Sequence, residues 1–364
     1  MHANRTSGCK GMCLRSPNYD IISAMKTKTL ALIGAAAIAA ASTFASERPR
    51  SLKVLAIGNS FTASLMSQLP ACAKALPGVD LDFATLVIGG CSLERHWNNV
   101  EKASDPEFRP YSVLWSFASA PDKKKPPFGD AMKGHKANIP QMLKAVKWDV
   151  VTIQQASPLT WKYESYQPYA DNLVAKIREL APQAEIRVQQ TWAYCDASPK
   201  VCANATPGKP GSFGLNQQGM YEKLTEAYNA FASKHGFKVI PAGDAVQLYR
   251  KALPVAFKPP TKEQMAAFKD GELPDMGGEP VGSYRWGKGP EWSKKAKDND
   301  VRKLRCDAIH LNDEGKYLQA CTWLAALFDD DLSKLSYRPK CLTEEKAALM
   351  RKCAVDAVKA RKAR

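Results

Sequence analysis

The sequence predicts an α/β protein: a three-layer α/β/α sandwich around a five-stranded parallel sheet. Short apolar runs closed by glycine or polar turns alternate with stretches of helical periodicity, the pattern of βαβ units. The composition agrees. Of 364 residues, 45% are hydrophobic and 24% charged, as in an average globular domain and unlike a disordered or fibrous chain.

The elements follow in order. Residues 53–57 form the first run, closed by Gly58 and followed by Leu65, Leu69, Cys72 and Leu76 at helical spacing. That reads as strand, turn, helix. Leu81 to Ile88 is the second strand, ending at Gly89-Gly90. An amphipathic stretch, Ile139 to Val146, leads into the third at Val150–Ile153. Tyr169 to Leu180 is a helix, with Leu173, Ile177 and Leu180 on one face, and Ile186–Gln190 is the fourth strand. A helix over Tyr221–His235 precedes the fifth, Phe237–Pro241. Helices over Asp313–Phe328 and Leu342–Lys362 complete the pattern. Residues 104–138, 195–219 and roughly 252–303 are rich in Pro, Gly and Lys and read as long loops. Loops of that length are usually functional. They interrupt one domain, residues 46–335, and residues 336–364 form a basic C-terminal helix.

The first 45 residues read as a leader. Lys26 and Lys28 precede an apolar run, Leu30 to Ala41, and the small residues Thr43 and Ala45 stand at −3 and −1 to Ser46. This is the pattern of a secretory signal peptide. Met25 reads as its start, with a long leader from residue 1 as the alternative. The run falls short of the roughly 20 residues of a spanning helix, so no stable membrane insertion is expected. The chain is expected to be exported, to the periplasm or beyond the cell.

Net charge is +16, and the leader contributes five basic residues against one acidic, so the remainder stays strongly basic. The lysines are scattered, with clusters at Lys123–Lys125, Lys294–Lys297 and Arg351–Arg364. None has the aromatic interleaving of a nucleic-acid reader, so no nucleic-acid partner is expected. Beyond the leader stand Cys72, Cys91, Cys195, Cys202, Cys306, Cys321, Cys341 and Cys353. An even number in an exported chain points to disulfides, and proximity in sequence favours Cys195 with Cys202 and Cys341 with Cys353. No Cys or His spacing matches a metal site, and none is expected.

In open parallel sheets, ligands bind at the carboxyl ends of the strands. The chemistry-bearing segments there are Gly58–Thr62, Gly89–Ser92, Gln154–Ser157, Gln190–Trp192 and Asp307–His310. A serine at a strand-to-helix turn is by itself a helix N-cap. As a nucleophile it needs a base and an orienting acid, and Asp307 with His310, three apart before a late helix, supplies both.

These motifs resemble the SGNH/GDSL hydrolase superfamily, in a secreted bacterial branch of unknown function. The resemblance rests on Gly-Asn-Ser-Phe-Thr from Gly58, Gly89-Gly90, Trp148–Ser157, Gln190–Tyr194, and Asp-x-x-His-Leu-Asn-x-x-Gly-x-Tyr-Leu from Asp307 to Leu318. It covers residues 52–330. It implies a flavodoxin-like sheet and a secreted serine esterase with Ser60 as nucleophile, His310 as base and Asp307 as its orienter. The backbone N–H groups of Ser60 and Gly90 would line the oxyanion hole. Asn59 stands where the common pattern has Asp, and the superfamily's Gly-x-Asn-Asp is missing. Gln155, with Gln154 as the alternative, is the expected side-chain donor in its place. No cofactor is implied. Trp97, Trp115, Trp161, Trp192, Trp286 and Trp292 follow strands or lie in the long loops. Trp97 and Trp192 are the expected platforms for an acylated carbohydrate or small ester substrate. The competing expectation is a non-catalytic glycan-binding or envelope protein that retains the fold.

Overall fold

The structure, a computed structural model, describes residues 50–120, 125–288 and 301–363. The expected leader, Lys123, Lys124, Trp292 and Lys294–Lys297 lie outside the described residues.

In chain order the elements are β1 (Ser51–Gly58), α1 (Ser60–Ala63), α2 (Leu69–Ala75), β2 (Asp80–Val87), α3 (Leu93–Glu101), β3 (Tyr111–Phe117), β4 (Met132–Lys133), β5 (Lys136–Ala137), α4 (Ile139–Ala145) and β6 (Val150–Ile153). Then come α5 (Tyr169–Leu180), β7 (Glu185–Gln189), α6 (Gln217–His235), β8 (Lys238–Ile240), α7 (Ala242–Ala252), α8 (Lys262–Ala267), β9 (Val281–Gly287), β10 (Lys303–Leu311), α9 (Asp313–Phe328) and α10 (Glu344–Lys362).

Five strands run parallel in the order β2-β1-β6-β7-β8. This is the flavodoxin-like doubly wound order, with all five strands where the apolar runs place them. Val54 to Ile57 are all buried, as a strand covered on both faces requires. Helices α2, α7, α9 and α10 pack together as one flanking group, and α3, α4 and α5 as another. Gly58 pairs with Val87 and Ile57 with Ile153. The carboxyl ends of β1, β2 and β6 are therefore level, and the segments carrying the candidate chemistry leave from one edge.

The sheet is larger than expected. β3 adds antiparallel to β2, followed by β5 and β4, giving eight strands. These strands come from the supposed loop 104–138. Their signal is a period-2 alternation of Tyr111, Val113, Trp115 and Phe117, which an argument built on βαβ rhythm passes over. The region 252–303 likewise holds α8 and β9, and β9 pairs antiparallel with β10 as a separate hairpin. The helix expected from Leu65 to Leu76 is broken into α1, a 3₁₀ turn at Ser64–Ser67 and α2. Pro70 stands in the first turn of α2, where its missing N–H costs nothing.

Glycine 243, inside α7, marks where that helix meets the end of β7. A Cβ there would lie 2.0 Å from the Thr191 carbonyl oxygen and 3.1 Å from Gln190 Cδ. Alanine in a helix interior normally gains up to about 1 kcal/mol over glycine. Here overpacking against backbone, typically 1–3 kcal/mol, outweighs that gain. Gly243→Ala is expected to lower the denaturant midpoint, and an unchanged or raised midpoint would refute the close approach.

Candidate active site

The turn that carries Ser60 is built by three consecutive residues. Gly58 ends β1 where a Cβ would stand 2.0 Å from Thr62 Oγ1 and 3.2 Å from Gln154 Cδ, so only glycine lets the chain turn this tightly. Asn59, in extended conformation, caps α1 by accepting from the Phe61 N–H at 3.1 Å. The cap is thus Asn59 and not Ser60, and the Ser60 hydroxyl is left for other work. Ser60 is half-buried at the first position of the helix.

His310 Nε2 lies 2.8 Å from Ser60 Oγ, and His310 Nδ1 lies 2.8 Å from Asp307 Oδ2. The second carboxylate oxygen of Asp307 accepts from the backbone N–H groups of Ile309 and His310, both at 3.1 Å. Neither helix nor simple loop presents these residues. They sit at the end of β10, where the pairing with β9 shifts between Asp307 and Leu311. Such a bulge re-aims side chains, and here it turns Asp307 and His310 toward Ser60. Asn312 fixes the exit. Its Oδ1 caps α9 through the Gly315 N–H at 3.0 Å, and its amide donates to the Glu279 and Gly282 carbonyls at 2.7 and 3.2 Å. Gly315 is required because a Cβ would meet the Pro280 oxygen at 2.2 Å.

Burial pushes the Asp307 carboxyl up. The hydrogen bond and charge of His310, with the two backbone N–H groups, outweigh it and hold the pKa at about 2. Asp307 is then an ionised acceptor at neutral pH, so Nδ1 donates to it and Nε2 is the nitrogen that faces the Ser60 hydroxyl. Phe61 sets an edge against the imidazole, ring centroids 5.5 Å apart.

Residues 53–254 match the family model described as a domain of unknown function, DUF4886. That is more than half of the sequence. The chain belongs to the DUF4886 family. A crystal structure of a DUF4886 protein from Bacteroides uniformis is similar to it, at 26% identity and TM-score 0.59, over 85% of this chain and 95% of that one. A provisionally assigned SGNH hydrolase from Slackia heliotrinireducens matches at 16% identity and TM-score 0.36, over 74% and 95% of the two chains. A provisionally assigned GDSL-like lipase from Parabacteroides merdae matches at 11% and 0.40, over 76% and 95%. No curated protein sequence matches. The family match includes Ser60 and ends before Asp307 and His310.

Within this DUF4886 chain the remaining expected residues divide. Gln155 is not an oxyanion donor. It is fully buried, its Oε1 accepts from the Leu93 and Ala156 N–H groups at 3.0 and 2.8 Å, and its Nε2 donates to Ser165 O and Oγ. Every polar atom of the amide is used, and its role is to anchor the segment that follows Gly90. Gln154 points to the other side, as strand alternation requires, but it too is consumed. Its Nε2 donates to Asn59 Oδ1 at 2.8 Å and its Oε1 accepts from Thr62 and Gln189. Gly90 lies in an exposed turn with φ +62°. Neither its N–H nor that of Ser60 has an acceptor among the described residues.

Trp192 is also corrected. It is fully buried and stacks on Phe61 at 4.2 Å and 6°, while its Nε1 donates to the Ile309 carbonyl at 2.9 Å. It therefore braces the neighbours of both Ser60 and His310 and offers no face to a substrate. Trp97 is half-buried on α3. Among the described residues no cluster of acidic, His or Cys side chains could hold a metal, and no helix is long and apolar enough to cross a membrane. All of the described cysteines are free thiols, Cys195, Cys202, Cys306, Cys341 and Cys353 included. The thiol of Cys195 meets Cys306 and that of Cys72 meets Cys321.

The Asn59 amide also donates to the Cys91 carbonyl at 3.2 Å, which an aspartate cannot do. Asn59→Asp leaves that carbonyl unpaired against a carboxylate, a cost of about 1–3 kcal/mol. The variant should unfold at lower denaturant than wild type near neutral pH, whereas equal midpoints would show that the amide nitrogen contributes nothing.

Proposed function

We propose that this chain is an exported serine esterase that removes acetyl or other short acyl groups from carbohydrate through an acyl-enzyme. The observation that carries the reading is the continuous hydrogen-bonded series Ser60–His310–Asp307. Three side chains meeting at nucleophile-to-base and base-to-acid distances of 2.8 Å fit the Ser-His-Asp arrangement. A glycan-binding protein that merely retained the fold has no need of it. The similarity in motifs to SGNH/GDSL hydrolases supports the same reaction class.

In the proposed reaction His310 Nε2 takes the Ser60 proton as Oγ attacks the ester carbonyl. Asp307 keeps the Nδ1–H oriented and stabilises the imidazolium. The backbone N–H groups of Ser60 and Gly90 receive the oxyanion, a hole of backbone donors alone. Protonated His310 gives its proton to the leaving alcohol, then activates the water that releases the acid. Half-buried Trp97, on the helix after the Gly90 turn, is the proposed sugar platform. Export rests on the leader pattern, and the mature chain is proposed to begin near Ser46.

Hydrolysis of p-nitrophenyl acetate and of acetylated glycans tests the reading. Ser60→Ala and His310→Ala should each cost on the order of 10⁴-fold or more in kcat, with Asp307→Asn leaving a larger residue. Undiminished activity in His310→Ala would remove the base from the mechanism.

The pH profile gives a further expectation. The acid must be ionised and the imidazole neutral. Asp307 loses its proton already at about pH 2, so wherever the fold is intact it stays ionised and adds no step of its own to the acid limb. The acid limb of log kcat/KM should rise with unit slope, and a slope of two would mean that the carboxylate titrates in the same range.

A further inference from the structure

We propose that Cys195 and Cys306 form a disulfide that clamps the Asp307–His310 segment to the loop after β7. The inference is independent of the acyl-transfer reading, because it concerns how the segment is held and not what it catalyses.

The placement is specific. The Cys195 N–H donates to the Ala308 carbonyl at 3.1 Å, so the two backbones are already joined just past Cys306. Cys306 pairs with Tyr284 across the β9–β10 hairpin, and Asp307 with Ser283. Beyond that pair the strands shift register at Gly282, whose φ is +100°. A Cβ on Gly282 would stand 3.0 Å from Cys195 Sγ and 2.9 Å from the Asp307 oxygen. The missing side chain thus makes the opening through which Cys195 reaches the hairpin. There the two sulfurs meet, the Cys195 S–H donating to Cys306. Cys202, the nearer cysteine in sequence, has no such contact: its neighbouring charge is Asp196.

The chemistry suits thiol–disulfide exchange. Hydrogen bonds from Cys195 and Tyr284 hold the Cys306 thiol below the usual cysteine value, against burial and the Asp307 charge. The thiolate is the attacking species, and Cys306 is half-buried while Cys195 is sealed. Cys306 therefore attacks a disulfide of the glutathione or thiol-oxidoreductase class, expelling one thiolate and forming a mixed disulfide. Cys195 loses its proton and displaces the second. In sum, the two protein thiols give up two protons and two electrons, and the reagent disulfide becomes two thiols. Linking segments so distant in sequence restricts the unfolded chain strongly.

The test uses the full chain incubated with oxidised glutathione or with dithiothreitol, then alkylated and digested with trypsin without reduction. Trypsin leaves Cys195 on residues 188–200, Cys306 on 306–316 and Cys202 on a third peptide beginning at 201. Oxidation is expected to link 188–200 to 306–316 and to raise the unfolding temperature by on the order of 5–10 °C. Both cysteines recovered alkylated after oxidation, or 188–200 linked to the peptide beginning at 201, would overturn the assignment. Cys306→Ser should diminish the redox-dependent shift, and an undiminished shift counts against it. If that variant fails to fold, the wild-type peptide map decides alone.

Discussion

The 2.8 Å contact between Ser60 and His310 joins residues 250 positions apart, and the architecture serves to close it. Ser60 stands on the turn after the central strand, so its position is fixed by β2 on one side and β6 on the other. His310 arrives from a hairpin outside the main sheet and must be brought in by other means. Trp192 does this with one indole, stacked on Phe61 and bonded to Ile309. Arg250 does it a second time, binding Glu279 at 2.6 Å and the Ala193 carbonyl at 3.2 Å. A buried ion pair of this kind specifies a position more than it adds stability.

Beneath Ser60 the protein uses amides where a core is normally apolar. Gln154, Gln189 and Gln319 are all buried. Gln189 accepts from Trp323 at 2.6 Å and from Gln319, which in turn donates to the Phe61 carbonyl at 2.9 Å and accepts from Ser64 at 2.6 Å. Segment 59–64 is therefore held at Asn59, Phe61, Thr62 and Ser64. In a low-dielectric interior such a network, fully matched, rigidifies what it touches, and a single unmatched member is costly. Stiffness at Ser60 is the return for burying this many polar groups.

What the sequence made legible follows from range. The five parallel strands and the meeting of Ser60, His310 and Asp307 rest on local signals: apolar runs, glycine at their ends, and an acid three residues before a histidine. The antiparallel additions were hidden because Tyr111–Phe117 alternates where neighbouring strands do not. The two glutamines after β6 show the limit most clearly. Alternation correctly put them on opposite faces, but only the fold reveals that Leu93 and Ser165 already occupy Gln155, and Asn59 and Thr62 occupy Gln154. Trp192 misleads in the same way: aromatic residues after strands suggest sugar platforms until packing shows which are covered. The approach of Cys306 to Cys195 was equally beyond reach, since proximity in sequence carries no information about a hairpin that folds back from residue 306.

Helix α10 has a bearing on how the molecule ages. Arg361, in its last turn, donates to Asp244 Oδ2 at 2.6 Å, and Asp244 Oδ1 accepts from Gln190 at 2.7 Å. Gln190 stands two residues before the Trp192 brace. A protease that nicks the chain ahead of Arg361 therefore strips the countercharge from a buried carboxylate and slackens the tether of the segment supporting His310. A cut in α10 is thereby passed on to the segment that carries His310.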